Sequence, residues 1–438
     1  MRYLWEGLFW IGVYLLLTLA PLFVLLLDPA PGGSGFWWDL SLALGFAGTV
    51  MLGMMFVLTA RFKRASAPFG IDLIYYFHRQ ISLVALAFIL AHPIILLLVE
   101  PKLIYLLRPR FLSAPLLAGA GSLLALALLM VASLWRKPLR IDYDSWRLWH
   151  LVLATIALVL AIVHIAGFAH YVAAPWKLLL WKAIGLSCLA LLLYSRVLRP
   201  FWLLRHPYRV AQLRPERGDA WTLVLAPEGH GGLRFQAGQF AWLSIGDSPF
   251  ALREHPFSFS GSAEQPEQLE FTIKELGDFT RRIHQVKPGQ RVYVDGPYGA
   301  FCSDRHPTPQ PVFIAAGIGI APIMAMLRTL ADRRDPRALL LIYAYHTWER
   351  LTFREELETL RERLNLQVVT VLWEAPAGWT GETGMLTEEL LGRHLPAERQ
   401  RLECFICGPV PMIDLTERAL HRLGVPISQT HSELFDLV

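Results

Sequence analysis

Four histidines place the tightest constraint on this chain. His78 and His92 lie in one long apolar segment, His150 and His164 in another, and the two members of each pair are 14 residues apart. On an α-helix 14 residues rise about 21 Å and end about 40° short of four full turns. Each helix therefore carries two imidazoles on one face, far apart along its axis. Two such helices side by side present two level imidazole pairs, a geometry that can clamp two stacked haems, one His from each helix on each iron. A lone His in an apolar helix is ordinarily a packed core residue, but two pairs at one spacing ask for another reason.

The apolar character is lopsided. The 438 residues are 54% hydrophobic with mean hydropathy +0.40, yet the excess lies before about residue 200. Six stretches approach the ~20 residues needed to cross hydrocarbon: Leu4–Leu27, Phe36–Ala60, Ile74–Val99, Leu116–Trp135, Trp146–Tyr171 and Trp176–Val197. Trp37, Trp38, Trp135, Trp146 and Trp176 fall at their ends, as interfacial aromatics do. The first stretch is too long for a cleaved signal peptide, and Asp28-Pro29 follows it instead of small residues.

Basic residues give the expected orientation. Arg61, Lys63 and Arg64 follow the second span, Arg136, Lys137 and Arg140 the fourth, and Arg196, Arg199, Arg205 and Arg209 the sixth. The positive-inside rule assigns these loops, and both termini, to the cytoplasm of a multi-pass inner or plasma membrane protein. Lys102, Arg108 and Arg110, in an outer loop, run against the trend. The net charge of +5 is accounted for by these flanks facing anionic lipid, with no nucleic-acid footprint.

The third and fifth spans run parallel, so His78 is level with His150 and His92 with His164. Two axial imidazoles saturate haem iron, which then passes single electrons without binding a ligand. A His-lined proton or metal path would bring carboxylates into the spans. Spans three to six contain none, Asp142 and Asp144 lying just before the fifth. Arg79 and Arg147 beside the inner pair suit haem propionates or snorkelling alike, and Pro93 should kink the third span.

After Arg199 the chain reads as a soluble protein. Short strands with regular turns, such as 237–243 and 287–294, predict a small antiparallel barrel. The pattern then changes to a buried strand, 311–316, the turn Gly317-Ile318-Gly319-Ile320-Ala321-Pro322 and a helical stretch. Glycines there let backbone approach a phosphate at a helix N-terminus. Strands at 339–345, 367–373 and 404–407 alternate with helical patterns, predicting a doubly wound parallel sheet. Of four cysteines, Cys404 and Cys407 form a C-x-x-C that alternates like a buried strand and lacks a second pair for zinc. The fold expected is an all-α six-helix transmembrane bundle (1–200), an antiparallel β-barrel (201–305) and an α/β doubly wound domain (306–438).

Five motifs then occur in order: Arg253-Glu254-His255-Pro256-Phe257-Ser258-Phe259-Ser260, Gly277-Asp278-Phe279-Thr280, Asp295-Gly296-Pro297-Tyr298-Gly299, the Gly317–Pro322 turn, and Cys407-Gly408-Pro409. Their order resembles the flavin and nicotinamide domains of the ferredoxin-reductase superfamily. With the six-span half in front, nearly the whole chain resembles the NADPH oxidase and ferric-chelate reductase family.

That resemblance implies FAD, NADPH or NADH, and two haems, b-type, held by His78, His92, His150 and His164. It places Phe257 against the flavin ring, Ser258 near its reactive nitrogen, and His255 and Pro256 at the FAD phosphates. Gly277, Asp278, Phe279 and Thr280 would open a helix holding the pyrophosphate, with Gly296 also beside the cofactor. Gly317, Gly319 and Pro322 would cradle the nicotinamide nucleotide, with Cys407, Gly408 and Pro409 bordering its ring. Phe435 would cover the flavin until nicotinamide displaces it. Phe257, Ser258, Cys407 and Phe435 would thus surround the hydride transfer.

Two departures stand out. His346, with Arg350 close by, replaces the Arg expected to grip the 2′-phosphate of NADPH. Leu96 replaces the His that lines the oxygen site in animal NADPH oxidases, and the outer surface offers His170, Tyr171, Trp176 and Lys177 instead. The function expected is electron transfer from cytosolic NAD(P)H through FAD and the haems to an extracytoplasmic acceptor. Dioxygen, giving superoxide, is the leading acceptor. A ferric or cupric chelate, or relay to a periplasmic protein or quinone, is the alternative.

Overall fold

The computed structural model describes residues 2–434, apart from 26, 28–34, 61–70, 169–170, 247 and 252. The chain divides into two units, one formed by Arg2–Phe62 and Leu73–Pro200 and the other chiefly by Phe201–Val438.

The first unit is helical: α1 (Arg2–Leu25), α2 (Phe36–Thr59), α3 (Ile71–Val99), α4 (Ala114–Leu134), α5 (Tyr143–Phe168) and α6 (Pro175–Leu193). All six are long and apolar enough to span a bilayer. Outward faces such as Leu16, Phe23, Leu98 and Leu186 are exposed, as lipid-facing side chains must be. The fifth helix starts three residues before its apolar run. Asp142 accepts the Ser145 N–H at 2.9 Å, a side-chain cap that draws polar Tyr143–Ser145 into the first turn. α3 runs unbroken through Pro93. Ala157 and Leu158 of α5, with Leu52, Phe56, Ala125 and Cys188, form a buried core cluster in the bundle.

The second unit begins with α7 (Arg199–Leu204) and then builds two sheets. The first is antiparallel, with β1 (Tyr208–Glu216), β2 (Ala220–Pro227), β3 (Phe240–Ile245), β4 (His255–Ser258), β5 (Leu269–Lys274) and β6 (Arg291–Tyr298) in the order β4-β3-β6-β1-β2-β5. A bridge from Phe259, just past β4, to Phe271 of β5 joins the two edges, so the sheet curls into a barrel. Leu223, Leu243, Phe259 and Phe271 fill it, fully buried.

The second sheet is all-parallel. Its strands are β7 (Gln310–Ala316), β8 (Leu339–Thr347), β9 (Leu366–Glu374), β10 (Glu382–Thr383), β11 (Leu402–Gly408) and β12 (Thr430–Leu434), ordered β10-β9-β8-β7-β11-β12. Helices α8 (Ile320–Asp332), α9 (Arg354–Arg363), α10 (Glu388–His394) and α11 (Val410–Arg422) accompany it. Strand order reverses between β7 and β11, and in such sheets ligands bind outside the strand C-termini at that switch point. The sequence expectation missed the edge strands β10 and β12, which are short and carry no apolar run.

Arg328 of α8 joins the barrel to this sheet. It donates to Glu356 of α9 at 2.6 and 2.7 Å, to Glu270 of β5 at 2.9 Å and to the Ser260 carbonyl at 2.7 Å. Its side chain is only 13% exposed.

Candidate active site

In the helical unit the four histidines form the two pairs that their spacing demands. Ring centroids are 6.2 Å apart for His78–His150 and 6.3 Å for His92–His164. One metal ion bonded to an imidazole nitrogen on each side, at about 2.0–2.1 Å per bond, requires centroids roughly 6.2 Å apart. Both separations accommodate an ion between the rings, and they also fall within the range of direct edge-to-face ring contact.

Neighbouring helices fix the tautomers. The Ser41 hydroxyl donates to the His92 carbonyl at 2.7 Å, and His92 Nδ1 lies 3.1 Å from both the hydroxyl and carbonyl oxygens of Ser41. The His164 Nδ1 atom faces the Pro115 carbonyl at 2.9 Å. The Ser133 hydroxyl donates to the Leu129 carbonyl, so it accepts from His150 Nδ1 and from Trp146 Nε1, each at 3.2 Å. In all three histidines Nδ1 is therefore the donor and Nε2 keeps its lone pair for a metal, the usual outer-shell arrangement. His78 differs: its Nδ1 is buried without a hydrogen-bond partner among the described residues.

Glycine makes room for the outer rings. A Cβ on Gly45 would come within 3.1 Å of His92, and one on Gly119 within 2.4 Å of His164 Nδ1. Each glycine stands four residues after the helix's oxygen acceptor, Ser41 or Pro115. One helical turn thus supplies both the gap and the hydrogen bond. These second contacts escaped sequence reading, which looked along each helix and not across to its neighbour.

The polar residues expected at the outer surface are engaged in structure instead. Tyr171 donates to Asp39 at 2.5 Å, and Lys177, 2% exposed, donates to the Leu25 carbonyl at the end of α1. A cation there meets the negative end of the helix. Trp176 is exposed, His170 lies outside the described residues, and Arg79 is exposed.

In the barrel, β4 carries His255, Pro256, Phe257 and Ser258 opposite Leu243, Trp242, Ala241 and Phe240 of β3. The His255 ring stacks on Phe279 at 3.9 Å, and Phe257 lies 6.2 Å from Phe279 in near-parallel orientation. Two motifs distant in sequence thus meet as a half-buried aromatic row. Ser258 is buried. The segment after Gly277 opens a helix as expected, a short 3₁₀ turn at Thr280–Gln285. The Thr280 hydroxyl accepts the backbone N–H groups of Leu276 and Gly277, both at 2.9 Å. It holds the loop's shape, leaving exposed Gly277 and Asp278 facing outward. Gly296 has a packing reason: a Cβ there would meet that of Ala241 at 2.7 Å.

At the switch point of the parallel sheet, β7 is followed by Gly317, whose φ of +55° suits glycine and whose Cβ position is open. A Cβ on Gly319 would strike the Cys407 carbonyl at 2.2 Å, so only glycine lets the two loops meet. Pro322 is buried in the first turn of α8, and Pro409 caps α11. The Cys407 thiol is fully buried and lies 3.4 Å from the Glu433 carbonyl. Burial pushes the Cys404 and Cys302 thiols up to about 12, so neither is a reactive thiolate at neutral pH. His346 is exposed beside Glu374 at 3.4 Å, while Arg350 pairs with Asp219 of the β1–β2 turn. Phe435 lies outside the described residues.

The comparisons with known proteins follow this division. Residues 44–161 match a ferric reductase like transmembrane component, 222–301 an FAD-binding domain and 313–418 an oxidoreductase NAD-binding domain. The chain has the domain architecture of the NADPH oxidase and ferric reductase family. Its matched parts are a membrane-spanning component, an FAD-binding domain and an oxidoreductase NAD-binding domain. The reductase component of propane 2-monooxygenase from Rhodococcus jostii is 31% identical over 237 residues, 52% of this chain and 62% of that protein. NADH-cytochrome b5 reductase 1 from Pyricularia oryzae is 31% identical over 181 residues, 40% of this chain and 59% of that one. The chain thus spans less than two thirds of the length of these curated relatives. The solved ferredoxin reductase of carbazole 1,9a-dioxygenase is 24% identical, with TM-score 0.47, over 52% of this chain and 69% of that one.

Proposed function

We propose that this chain moves electrons from cytosolic NAD(P)H across the membrane to an acceptor on the far side, most readily dioxygen, giving superoxide. The observation that carries the reading is the pair of imidazole separations, 6.2 and 6.3 Å, at opposite ends of α3 and α5. When bound, FAD takes a hydride and releases electrons singly, and two b-type haems pass them on one at a time.

The chain's own residues position and insulate. His78, His150, His92 and His164 would hold the two irons. Ser41, Pro115 and Ser133 keep three of these rings in the ligand tautomer. Phe257 and Ser258 would face the flavin ring, with His255 and Phe279 beside its phosphates. Gly317, Gly319, Cys407 and Gly408 form a close-packed turn where nicotinamide nucleotide would lie, and Phe435 would cover the flavin. With two imidazoles offered to each haem, the acceptor would take its electron without binding the metal.

A second reading has a specific observation behind it. Lys102, Arg108 and Arg110 are exposed in the α3–α4 connection, at the His92 end of α3. That basic surface suits an anionic ferric or cupric chelate. The test is a visible spectrum of FAD-loaded protein given NADPH without oxygen and then in air. Rapid haem reoxidation with superoxide formation supports the oxidase. Haems that stay reduced in air until a ferric chelate is added support the reductase.

A further inference from the structure

Three side chains outside these sites converge near the start of β11. His306, in the segment joining β6 to β7, Glu403 on β11 and His431 on β12 each place one donor atom within 4.8 Å of the others. The parallel register produces this. Cys404 pairs with Thr430 and Phe405 with His431, so Glu403 and His431 lie close on adjacent strands. His431 Nε2 is 2.6 Å from Glu403 Oε2, and the His306 and His431 rings stack at 3.7 Å. Phe405 packs against the two rings at 6.0 and 5.1 Å, giving the cluster an apolar floor. The side chains of His431 and Glu403 are only 15% and 16% exposed.

We propose that His306, Glu403 and His431 bind one divalent transition-metal ion, zinc by preference, at a site separate from the redox cofactors. Two imidazole nitrogens and one carboxylate oxygen are a common zinc donor set, with water as fourth ligand. Donors around tetrahedral zinc, at about 2.0–2.2 Å per bond, sit roughly 3.3 Å apart. Closing the cluster onto an ion therefore requires the His306 and His431 rings, now 3.7 Å apart between centroids, to part while their donor atoms draw together. Magnesium and calcium prefer oxygen donors throughout, and the cluster offers no thiolate to select copper(I). Four residues along β11 separate Glu403 from Cys407, about 13 Å of strand, so the ion stands clear of the nicotinamide turn. It would cross-link the segment leading from the barrel into the sheet with edge strand β12, which has a strand neighbour on one side only. The competing arrangement is a plain hydrogen bond from His431 to Glu403 with His306 stacked on it.

The experiment uses full-length purified protein stripped with EDTA. Zn²⁺ is titrated against a chromophoric chelator, and Co²⁺ is followed by its d–d absorption. The expected result is one Zn²⁺ per chain and the intense bands of four-coordinate Co²⁺. His306→Ala and His431→Ala should abolish both signals. Glu403→Gln, which keeps the shape and an acceptor, should weaken zinc by more than the roughly 10–100-fold typical of losing an outer-shell partner. Flavin content reports that each variant is folded. The proposal is overturned if flavin-replete wild type takes up no stoichiometric zinc, or if the folded variants bind it as the wild type does. Should the His variants misfold, the wild type and Glu403→Gln decide the matter.

Discussion

The Nδ1 atom of His164 lies 2.9 Å from the carbonyl oxygen of Pro115. A carbonyl can only accept, so this contact fixes the proton on Nδ1 and leaves Nε2 its lone pair. The ring reaches that position because Gly119, one turn further along α4, has no side chain in its way.

Gly119→Ala should therefore displace His164 selectively. Haem content should fall from two per chain toward one, with the His78–His150 haem retained. Haem extraction assays with visible and EPR spectra check this, and an unchanged low-spin signal from both haems would remove Gly119 from the account.

Ser133→Ala leaves His150 Nδ1 without its acceptor. Loss of such an outer-shell partner costs about 10–100-fold in metal affinity or activity. Haem retention at the inner pair should weaken on that scale, and the inner midpoint potential should rise as the imidazole becomes a poorer donor. Potentiometric titration separates this from general destabilisation, because the outer haem should not move.

Arg328→Ala should loosen the reductase half. The guanidinium is largely buried and joins Glu270 of the barrel to Glu356 of α9. Removing one partner of a buried ion pair costs about 3–5 kcal/mol, read as a lowered thermal midpoint followed by flavin fluorescence. Arg328→Lys should recover only part, since a point charge cannot replace the two-pronged contact.

Acid should weaken a second tie between the same two domains. The Arg217 guanidinium holds the Glu355 carboxyl down to about 2. A depressed carboxyl contributes stability above its unfolded value of about 4.3, and that contribution is lost as pH falls from there through about 2. The pair is exposed, so its contribution is small. Arg217→Ala should flatten that part of the stability–pH curve, lowering stability slightly at neutral pH and converging on the wild type in acid.

Arg350 offers a test of nucleotide preference. It pairs with Asp219 across the two domains. If it also meets a 2′-phosphate, Arg350→Ala should raise KM for NADPH about 10–100-fold, the value of a charged hydrogen bond, and spare NADH. Asp219→Asn, which frees the guanidinium, should shift preference toward NADPH. Equal effects on both nucleotides would assign Arg350 to domain packing alone.

Much of this was legible along the chain because its signals are local. Six spans follow from the length of hydrocarbon, and the paired histidines from helical periodicity. The parallel sheet follows from apolar runs alternating with helical stretches. Boundaries failed where a polar side chain decided them, as when Asp142 starts α5 three residues before its apolar run. Ser41, Ser133 and Pro115 could not be read as partners of the histidines, because helix packing alone brings them there. His306, Glu403 and His431 are separated by 97 and 28 residues and meet only through parallel strand register. At Gly277–Thr280 the motif was visible, but the Thr280 hydroxyl spends its bonding on the loop's own N–H groups and a 3₁₀ turn results.

The most direct test of the central claim is the haem content of wild type and His92→Leu. The account requires two low-spin haems per chain in the wild type. It requires one in the variant, whose flavin NADPH still reduces. A variant that kept two haems, or a wild type that bound none, would contradict the pairing of His92 with His164 and the electron path built on it.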